Sequence, residues 1–579
     1  MIILGLNAYH ADSSAAIFKD GLLIAATEEE RFRRVKHWAG FPSLAVEFCL
    51  KEAGISLHEV DHIAIGRDPY AKLANKILFL LKNPGGGLRA VRDRLSNAKK
   101  VASLEAEFKS LDPTLDEKKI KSRIYHVEHH RSHLASAFFA SPFEESAILS
   151  IDGSGDFTTT MTAIGKGNQM QVLDSVDFPH SVGLFYTAFT QLLGFPHYGD
   201  EYKVMGLAPY GEPRYVEQLK DVLIFEPDGL FHLNQKYFRS AKSGIISYGE
   251  DHIPVVASLF TGYMIAKFGA ERKKDEPLTQ YHKDLGASVQ RITELLIFHM
   301  LSALQKKTGL KNVCIAGGVA QNSVANGKLT RNTAFEKIYI PSAGHDAGIS
   351  MGCALYVYNQ LLKQPRQLPQ YSAFTGSRFS NEEIETYLQS RSITYTRYPE
   401  TEIYEIITSL LINAGVVGWF SGRAEFGPRA LGGRSIIADP RRSDAKDLLN
   451  SKIKRRESFR PFAPSILKEY VDEYFEVHDD VPFMEKVFPI RKEKQALIPA
   501  VTHVDGTGRL QSVDRNTAPR YYQLIETFRQ KTGIPILLNT SFNENEPIVN
   551  SPEHALECFL RTSMDMLVLE NCVITRQAV

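Results

Sequence analysis

Two stretches of the chain, about 140 residues apart, carry the same succession of strands and turns. Residues 1–27 predict a strand (MIILGLN), a turn, a second strand (SSAAIF), a tight Asp20-Gly21 hairpin and a third strand (LLIAAT). Residues 146–176 predict the same order: a buried strand that ends in the polar turn Asp152–Asp156 (DGSGD), a Thr-rich strand, a glycine-containing turn and a third strand. The repeat predicts a duplicated α/β domain.

Composition limits the size, partners and location of the protein. With 579 residues and 43% hydrophobic content the chain is too long for one core, and ~3 or 4 lobes are expected. The net charge of +1 shows no overall excess of basic residues that would bind a polyanion, so no nucleic-acid partner is expected. The five cysteines form no CxxC pair, which argues against a zinc finger or a disulfide framework and favours the cytoplasm. No stretch approaches the ~18 apolar residues of a membrane span, so no membrane partner is expected.

The repeat resembles the duplicated architecture of the actin-like ATPase (ASKHA-type) fold, in which each half grips nucleotide phosphates from its side of a cleft. The turn Asp152–Asp156 offers backbone N–H groups that can approach a phosphate and carboxylates that can hold a cation; an ordinary turn is the alternative. A second glycine-rich element, VCIAGGVAQNSVANG, breaks an apolar strand at Gly317-Gly318. In actin-like ATPases such a pair lies against the nucleotide, whereas a close strand-to-helix crossing is the alternative.

Three histidines fall within five positions in HHRSHLASAF, residues 129–138. In a helix that begins near His129, this residue and His133 project from the same face one turn apart, as two metal ligands must. A polar cap on an amphipathic helix is the alternative. The carboxylates Asp152 and Asp346 could complete a mixed nitrogen and oxygen site, which suits iron, manganese or zinc.

Nine motifs in one order give the chain a resemblance to a known family. They are DSSAAIFKDG, EEERFRRVKHWAGFP, HHRSHLASAF, DEYKVMGLAPYG, GGVAQNSVANG, FGPRALGGRSI, FRPFAPS, HVDGTGRLQ and LLNTSFNENEPIV. The chain resembles the O-carbamoyltransferases of antibiotic and Nod-factor biosynthesis over essentially its whole length. The resemblance implies an N-terminal actin-like domain, related to the tRNA threonylcarbamoyl transferases, and a C-terminal YrdC-like α/β domain. It also implies that the HxxxH pair holds a metal beside a nucleotide, with iron as the expected metal and Mg²⁺ expected with ATP.

A proline-containing stretch, residues 365–380 (PRQLPQYSAFTGSRFS), breaks a helical pattern and predicts a linker. The expected domains are therefore 1–365 and 366–579. Residues from about 70 to 120 predict a helical, Lys-rich insertion, and its NPGGG break predicts a loop between helices.

The second domain contains a locally basic stretch. Residues 423–460 carry eleven Arg or Lys and five Asp or Glu, an imbalance that needs an anion. Arg429 and Arg434 lie among glycines and small residues, and Arg460 precedes PFAPS, which favours a phosphate pocket over a DNA groove. Carried over by motif, the resemblance implies that carbamoyl phosphate and ATP are bound here by Arg429, Lys454, Arg460, Arg509, Asn539 and Ser541.

The resemblance also implies a reaction in two stages. Carbamoyl phosphate and ATP give carbamoyladenylate in the second domain, and the first domain transfers the carbamoyl group to a hydroxyl of a small molecule. The AMP part of this intermediate would be held by Asp152, Gly153, Ser154, Gly155, Gly183, Gly318 and Asn322.

The attack of the hydroxyl calls for a general base, and His10 or Asp12 at the end of the first strand is the expected candidate. The family motif His-Asp-Ser-Ser is here His10-Ala11-Asp12-Ser13-Ser14, so the histidine stands one residue earlier. Lys36 and His37 are expected to face the same cleft, with Lys36 as a charge partner of the substrate.

Two other function classes share part of these features. A tRNA threonylcarbamoyl-type transferase would have the same first domain but should carry a basic RNA-binding face, which the net charge of +1 disfavours. A non-enzymatic actin-like scaffold would leave the second domain unexplained. The acceptor cannot be named from the sequence, and a homodimer is compatible with it.

Overall fold

The computed structural model describes residues 1–82, 103–240, 246–249, 251–367 and 372–576. The chain divides into two compact units. Unit 1 comprises Met1–Ala325 and Leu329–Tyr371, and unit 2 comprises Asn326–Lys328 and Ser372–Val579. None of the helices in the described ranges is both long and apolar enough to cross a membrane.

Unit 1 contains two five-stranded sheets with the same topology. In chain order, the strands of the first sheet are Ile2–Asn7, Ser14–Lys19, Leu22–Glu28, His62–Ile65 and Ile124–His126, and those of the second are Glu145–Gly155, Thr158–Lys166, Gln169–Asp177, Asn312–Ala316 and Lys337–Tyr339. Each sheet is ordered third, second, first, fourth, fifth, with the first three strands antiparallel and the last two parallel to the first. The predicted duplication and α/β class are confirmed.

The tight turns of the two sheets differ from the sequence prediction at one place. Asp20 (φ 50°) and Gly21 (φ 80°) form the predicted two-residue turn of the first sheet. In the second sheet the turn lies at Asp156 (φ 49°) and Phe157 (φ 80°), and the strand before it extends to Gly155. The prediction of a turn over Asp152–Asp156 was therefore wrong: the register shifts between Ile151 and Gly155, so the residues between them bulge out of the ladder.

Helices and short two-stranded ribbons complete unit 1. The α-helices are Glu30–Arg33, Ser43–Ala53, Leu73–Lys82, Glu105–Leu111, Glu117–Lys121, His129–Phe138, Val182–Leu192, Glu201–Leu207, Val216–Leu219, Gly262–Phe268, Gln280–Thr308, Ser323–Asn326, Leu329–Asn332 and Ile349–Leu355. The ribbons pair Leu223–Phe225 with Phe231–Leu233 and Ile246–Tyr248 with Pro254–Val256. Helices at 73–82, 105–111 and 117–121 agree with the predicted insertion, whereas its NPGGG break and part of the predicted linker lie outside the described residues.

Close backbone approaches fix the helix Ile349–Leu355 at the centre of unit 1. A Cβ atom on Gly352 would lie 1.9 Å from the carbonyl oxygen of Ser132, and one on Gly5 would lie 1.9 Å from that of Ser350. Only glycine permits these contacts, so the helix packs directly against both His129–Phe138 and the first strand of the first sheet.

Unit 2 is built on one mixed nine-stranded sheet. Its strands, in spatial order, are Thr396–Arg397, Cys572–Thr575, Met566–Leu569, Val417–Phe420, Arg434–Ala438, Ile536–Ser541, Ala463–Leu467, Thr507–Val513 and Lys486–Pro489. Its α-helices are Asn381–Ser390, Glu400–Ile412, Ala445–Leu448, Val471–Tyr474, Lys492–Gln495, Pro519–Thr532 and Pro552–Arg561. The apolar residues Ile403, Ile407 and Leu411 recur every fourth position of one helix and are buried in the core.

Candidate functional site

The predicted histidine helix begins at His129 and ends at Phe138. Glu128 caps it, because its carboxylate accepts a hydrogen bond from the backbone N–H of Arg131 at 2.8 Å. His129 and His133 then follow one turn apart on one face, with ring centroids 4.8 Å apart, and both are buried. The predicted helix start and the shared face are confirmed.

Two aspartates from other elements meet this pair. Asp152 lies on the bulge of the second sheet, and Asp346 opens a short 3₁₀ turn, Asp346–Gly348, after the last strand of that sheet. His129 Nε2 lies 3.2 Å from Asp152 Oδ2, and His133 Nε2 lies 3.3 Å from Asp346 Oδ1. The four side chains, here called the His/Asp cluster, are buried and place one ligand atom each within 4.8 Å of one another.

The cluster has the donor set and the unpaired atoms that a bound cation needs. His133 Nε2 and Asp346 Oδ1 are buried and have no hydrogen-bond partner among the described residues, although they lie 3.3 Å apart. Leaving buried polar atoms unpaired costs about 1–3 kcal/mol each. A metal ion that accepts nitrogen and oxygen ligands would satisfy both atoms, so the residues fit the group that the family resemblance implies.

The charges of the cluster shift one another's pKa values. Burial and Asp152 act against ionisation of Asp346, but His10 and His133 outweigh them and hold the pKa of its carboxyl below the usual range. Burial alone would lower the pKa of His133, yet Asp152 and Asp346 raise it to about 9. Burial dominates at His129, whose pKa is lowered. The acids therefore stay ionised inside the protein and need positive charge beside them.

The glycines around Asp152 leave room for the cluster. A Cβ atom on Gly155 would lie 2.0 Å from His129 Cγ, and one on Gly183 would lie 2.7 Å from the Cα of Gly153. The backbone N–H of Gly318 donates to Asp152 Oδ1 at 2.8 Å. The structure thus brings together most of the residues predicted to hold the nucleotide, with Ser154 on the same bulge.

Asn322, another predicted nucleotide residue, is engaged within the protein. Its side-chain amide exchanges two hydrogen bonds of 3.0 Å with that of Gln290, and its oxygen also accepts from the backbone N–H of Ala325 at 3.1 Å. This pairing fixes the orientation of the amide.

The candidate bases follow the first strand of the first sheet but have different partners. His10 Nδ1 lies 2.8 Å from Asp346 Oδ2, which joins it to the His/Asp cluster. Asp12 Oδ1 lies 2.8 Å from His37 Nδ1, and Asp12 outweighs the effect of burial to raise the pKa of His37 to about 9. Lys36 is exposed beside His37.

Two tyrosines that the sequence analysis did not single out lie in the field of these acids. Burial is the main cause of the raised pKa of Tyr198, and Asp12 and Asp346 add to it. Burial raises the pKa of Tyr248 to about 12 against the opposing charge of Arg67. Neither tyrosine belongs to a motif with the ligands, so spacing along the sequence gives no signal for them.

Four arginines of unit 2 lie close enough to interact electrostatically. Arg509 lies on the strand Thr507–Val513, and Arg429, Arg456 and Arg460 act electrostatically on it. Burial is the main cause of the lowered pKa of Arg509, and the three other arginines lower it further. These four residues are here called the arginine cluster; Arg429, Arg460 and Arg509 are predicted site residues, and Arg456 is not.

Other predicted residues of unit 2 have partners within the protein. Lys454 Nζ donates to the backbone oxygens of Ser541 and Asn543, at 2.5 and 2.8 Å, and so holds this segment in place. Asn539 Nδ2 lies within 3.1 Å of three acceptor oxygens, and its own Oδ1 is buried without a partner among the described residues. Arg434 is buried over the ring of Phe420 and donates to backbone carbonyls.

Comparisons with known proteins identify the family of the chain. Models of the carbamoyltransferase N-terminus and C-terminus match residues 2–355 and 408–576. An uncharacterised protein of Synechocystis sp. is 43% identical, over 100% of this chain and 97% of that protein. The nodulation protein NolNO of Sinorhizobium fredii is 39% identical, over 99% and 80%, and the nodulation protein NolO of Bradyrhizobium diazoefficiens is 42% identical, over 76% and 78%. The chain therefore belongs to the carbamoyltransferase family and is a carbamoyltransferase.

Proposed function

We propose that the protein uses ATP to transfer the carbamoyl group of carbamoyl phosphate to a hydroxyl of a small-molecule natural product. The observation that carries this proposal is the presence, in one carbamoyltransferase chain, of two charged sites that need opposite counter-charges. The His/Asp cluster of unit 1 is suited to a cation, and the arginine cluster of unit 2 is suited to phosphate groups.

We assign the two stages to the predicted domains, with 1–365 as an actin-like transfer domain and 366–579 as a YrdC-like activation domain. The repeated five-stranded topology of unit 1 supports the first assignment. The family resemblance supports the second.

Activation takes place at the arginine cluster. Water converts carbamoyl phosphate into carbamate and inorganic phosphate, and a carbamate oxygen then attacks the α-phosphorus of ATP, releasing pyrophosphate and forming carbamoyladenylate. Arg429, Arg460 and Arg509 hold phosphate oxygens, because a guanidinium donates two parallel hydrogen bonds to such a group. Asn539 and Ser541 line the same site, and Lys454 keeps the segment that carries Ser541 in position.

Transfer takes place at the His/Asp cluster of unit 1. The acceptor hydroxyl attacks the carbamoyl carbon, AMP leaves, and the hydroxyl proton passes to His10 or Asp12. His129, His133, Asp152 and Asp346 would hold the metal, iron by resemblance, whose charge would stabilise the negative oxygens of the adenylate. The backbone around Gly153, Gly155, Gly183 and Gly318 would accommodate the AMP part, and Lys36 would offset its charge.

The test is to incubate the protein with carbamoyl phosphate and ATP, without acceptor, and to look for carbamoyladenylate by mass spectrometry. We expect the product from the wild type. Arg460→Ala should not form it, because the variant loses a charge-assisted contact with a phosphate group, yet it should still transfer carbamoyl from adenylate that is supplied externally. A variant that can do neither would contradict the two-site proposal.

A further inference from the structure

A histidine outside the predicted site residues lies beside the arginine cluster. The backbone N–H of His503 donates to the carbonyl of Thr507 at 2.7 Å, and that of Gly506 (φ 77°) donates to the carbonyl of His503 at 2.9 Å. This tight loop leads into the strand Thr507–Val513. Thr507 and Arg509 are two positions apart on that strand, so their side chains share one face. The loop therefore brings the ring of His503 next to the face that carries Arg509.

The hydrogen bonds of Thr507 determine which nitrogen of His503 carries the proton. The hydroxyl of Thr507 donates its one proton to Asp505 Oδ1 at 2.7 Å. Its contact of 3.0 Å with His503 Nδ1 must then be one in which the hydroxyl accepts, so Nδ1 is protonated. Nε2 is left with a lone pair, and it is shielded from solvent and has no hydrogen-bond partner among the described residues.

Burial and two neighbouring cations keep this imidazole neutral. Burial is the main cause that lowers the pKa of His503; Asp505 raises it, while Arg509 and Lys446 lower it, and the result is about 4. Arginine side chains only donate hydrogen bonds. His503 Nε2 therefore adds a buried acceptor to a pocket whose arginines can only donate.

Carbamoyl phosphate has a donor in the matching place. Its amide nitrogen is only three bonds from phosphorus, whereas the adenine amino group of ATP lies at the far end of the nucleoside. Inorganic phosphate has no such amide, and acetyl phosphate carries a methyl group instead. Arginines that bind the phosphate group cannot distinguish these anions by themselves.

We propose that His503 Nε2 accepts a hydrogen bond from the amide of carbamoyl phosphate and thereby selects it over acetyl phosphate and inorganic phosphate. This inference rests on the proposed role of unit 2 in binding carbamoyl phosphate. A site built to pair with a substrate N–H rejects analogues that lack it, because the buried acceptor then stays unpaired.

The test compares ligand affinities, by calorimetry, of the full-length wild type with those of His503→Phe and His503→Gln. His503→Phe removes the acceptor and should weaken the binding of carbamoyl phosphate about 10- to 100-fold. The Kd of inorganic phosphate should stay within about twofold of the wild-type value. His503→Gln restores an acceptor and should recover most of the loss. His478→Phe, whose side chain is 91% exposed in the same unit, is the matched control and should change neither Kd.

Each other outcome overturns the inference. If the variant binds both anions more weakly by the same factor, or binds both as the wild type does, His503 has a structural role only. Weakening of ATP alone would mean that the nucleotide faces this histidine. If the wild type itself does not bind carbamoyl phosphate, the proposed function of unit 2 is wrong. That failure is distinct from a failure of the inference, because it is measured without any variant. Melting curves of both variants show whether the fold is retained.

Discussion

The two charged clusters of this protein are built on opposite electrostatic principles. In the His/Asp cluster, acids and imidazoles attract one another, which lowers the pKa of Asp346 and raises that of His133 to about 9. In the arginine cluster, like charges repel one another. Burial is the main cause of the lowered pKa of Arg509, and the three other arginines lower it further. The first site is thus held together by its own side chains, whereas the second depends on an anion for compensation.

The largest expected effect tests whether the His/Asp cluster is a metal site. Replacing two of four ligands, in His129→Ala/His133→Ala, should reduce the metal content from about one ion per chain to none, because a carboxylate pair alone binds such ions weakly. Elemental analysis after loading with iron, manganese or zinc measures this. Circular dichroism should show an intact fold. Full metal content in the double variant would mean that the cluster is not the site.

The next effect separates the two candidate bases that follow the first strand. His10→Ala should lower carbamoyl transfer by ~100- to ~10,000-fold, as loss of a general base does, and leave adenylate formation near normal. Asp12→Asn should lower carbamoyl transfer by a smaller factor, because Asp12 is paired with His37 at 2.8 Å. Assays of the two half-reactions decide between them. If transfer survives in His10→Ala and is lost in Asp12→Asn, Asp12 is the base.

Local patterns predicted the architecture of unit 1 because strand and turn signals are short-range. The two copies, the turn at Asp20-Gly21 and the start of the helix at His129 all follow from adjacent residues. The bulge before Gly155 could not be predicted, because the register of a strand depends on its partner strand. The residues that the sequence predicted as a turn instead form a bulge, and this bulge directs Asp152 towards the histidines.

In unit 2 the sequence predicted the charge of the site but not its contacts. The excess of basic residues between 423 and 460 indicated an anion pocket, but not which cations face it. Lys454 and Arg434 bind backbone oxygens, and only the folded chain reveals those partners. His503 opens the motif HVDGTGRLQ, but its role could not be predicted, because its tautomer depends on a threonine and an aspartate that form a turn with it.

A smaller effect tests how tightly the His/Asp cluster is positioned. In Gly155→Ala the new Cβ would lie 2.0 Å from His129 Cγ, so the ring or the strand must shift, and metal affinity should fall about 10- to 100-fold. Gly153→Ala is the matched control, since its Cβ would meet no atom within 4 Å and should leave metal affinity unchanged. Metal titrations of both variants measure the difference. Equal affinities would show that the cluster tolerates a displaced His129.

The smallest expected effect concerns the pH dependence that results from the burial of His503 beside Arg509. Burial lowers the pKa of His503 most, Asp505 raises it, and Arg509 and Lys446 lower it further; the result is about 4, below the value of about 6.5 in an unfolded chain. A histidine whose pKa is lowered by folding contributes stability that is fully present above about pH 6.5 and is lost as the pH falls towards 4. Between pH 7.5 and 5.0 the wild type should therefore lose on the order of 2 kcal/mol more unfolding free energy than His503→Phe. Chemical denaturation at the two pH values measures this difference. Equal losses in the two proteins would show that folding does not lower the pKa of His503, and the repulsion between cations described for Arg509 would then not extend to this histidine.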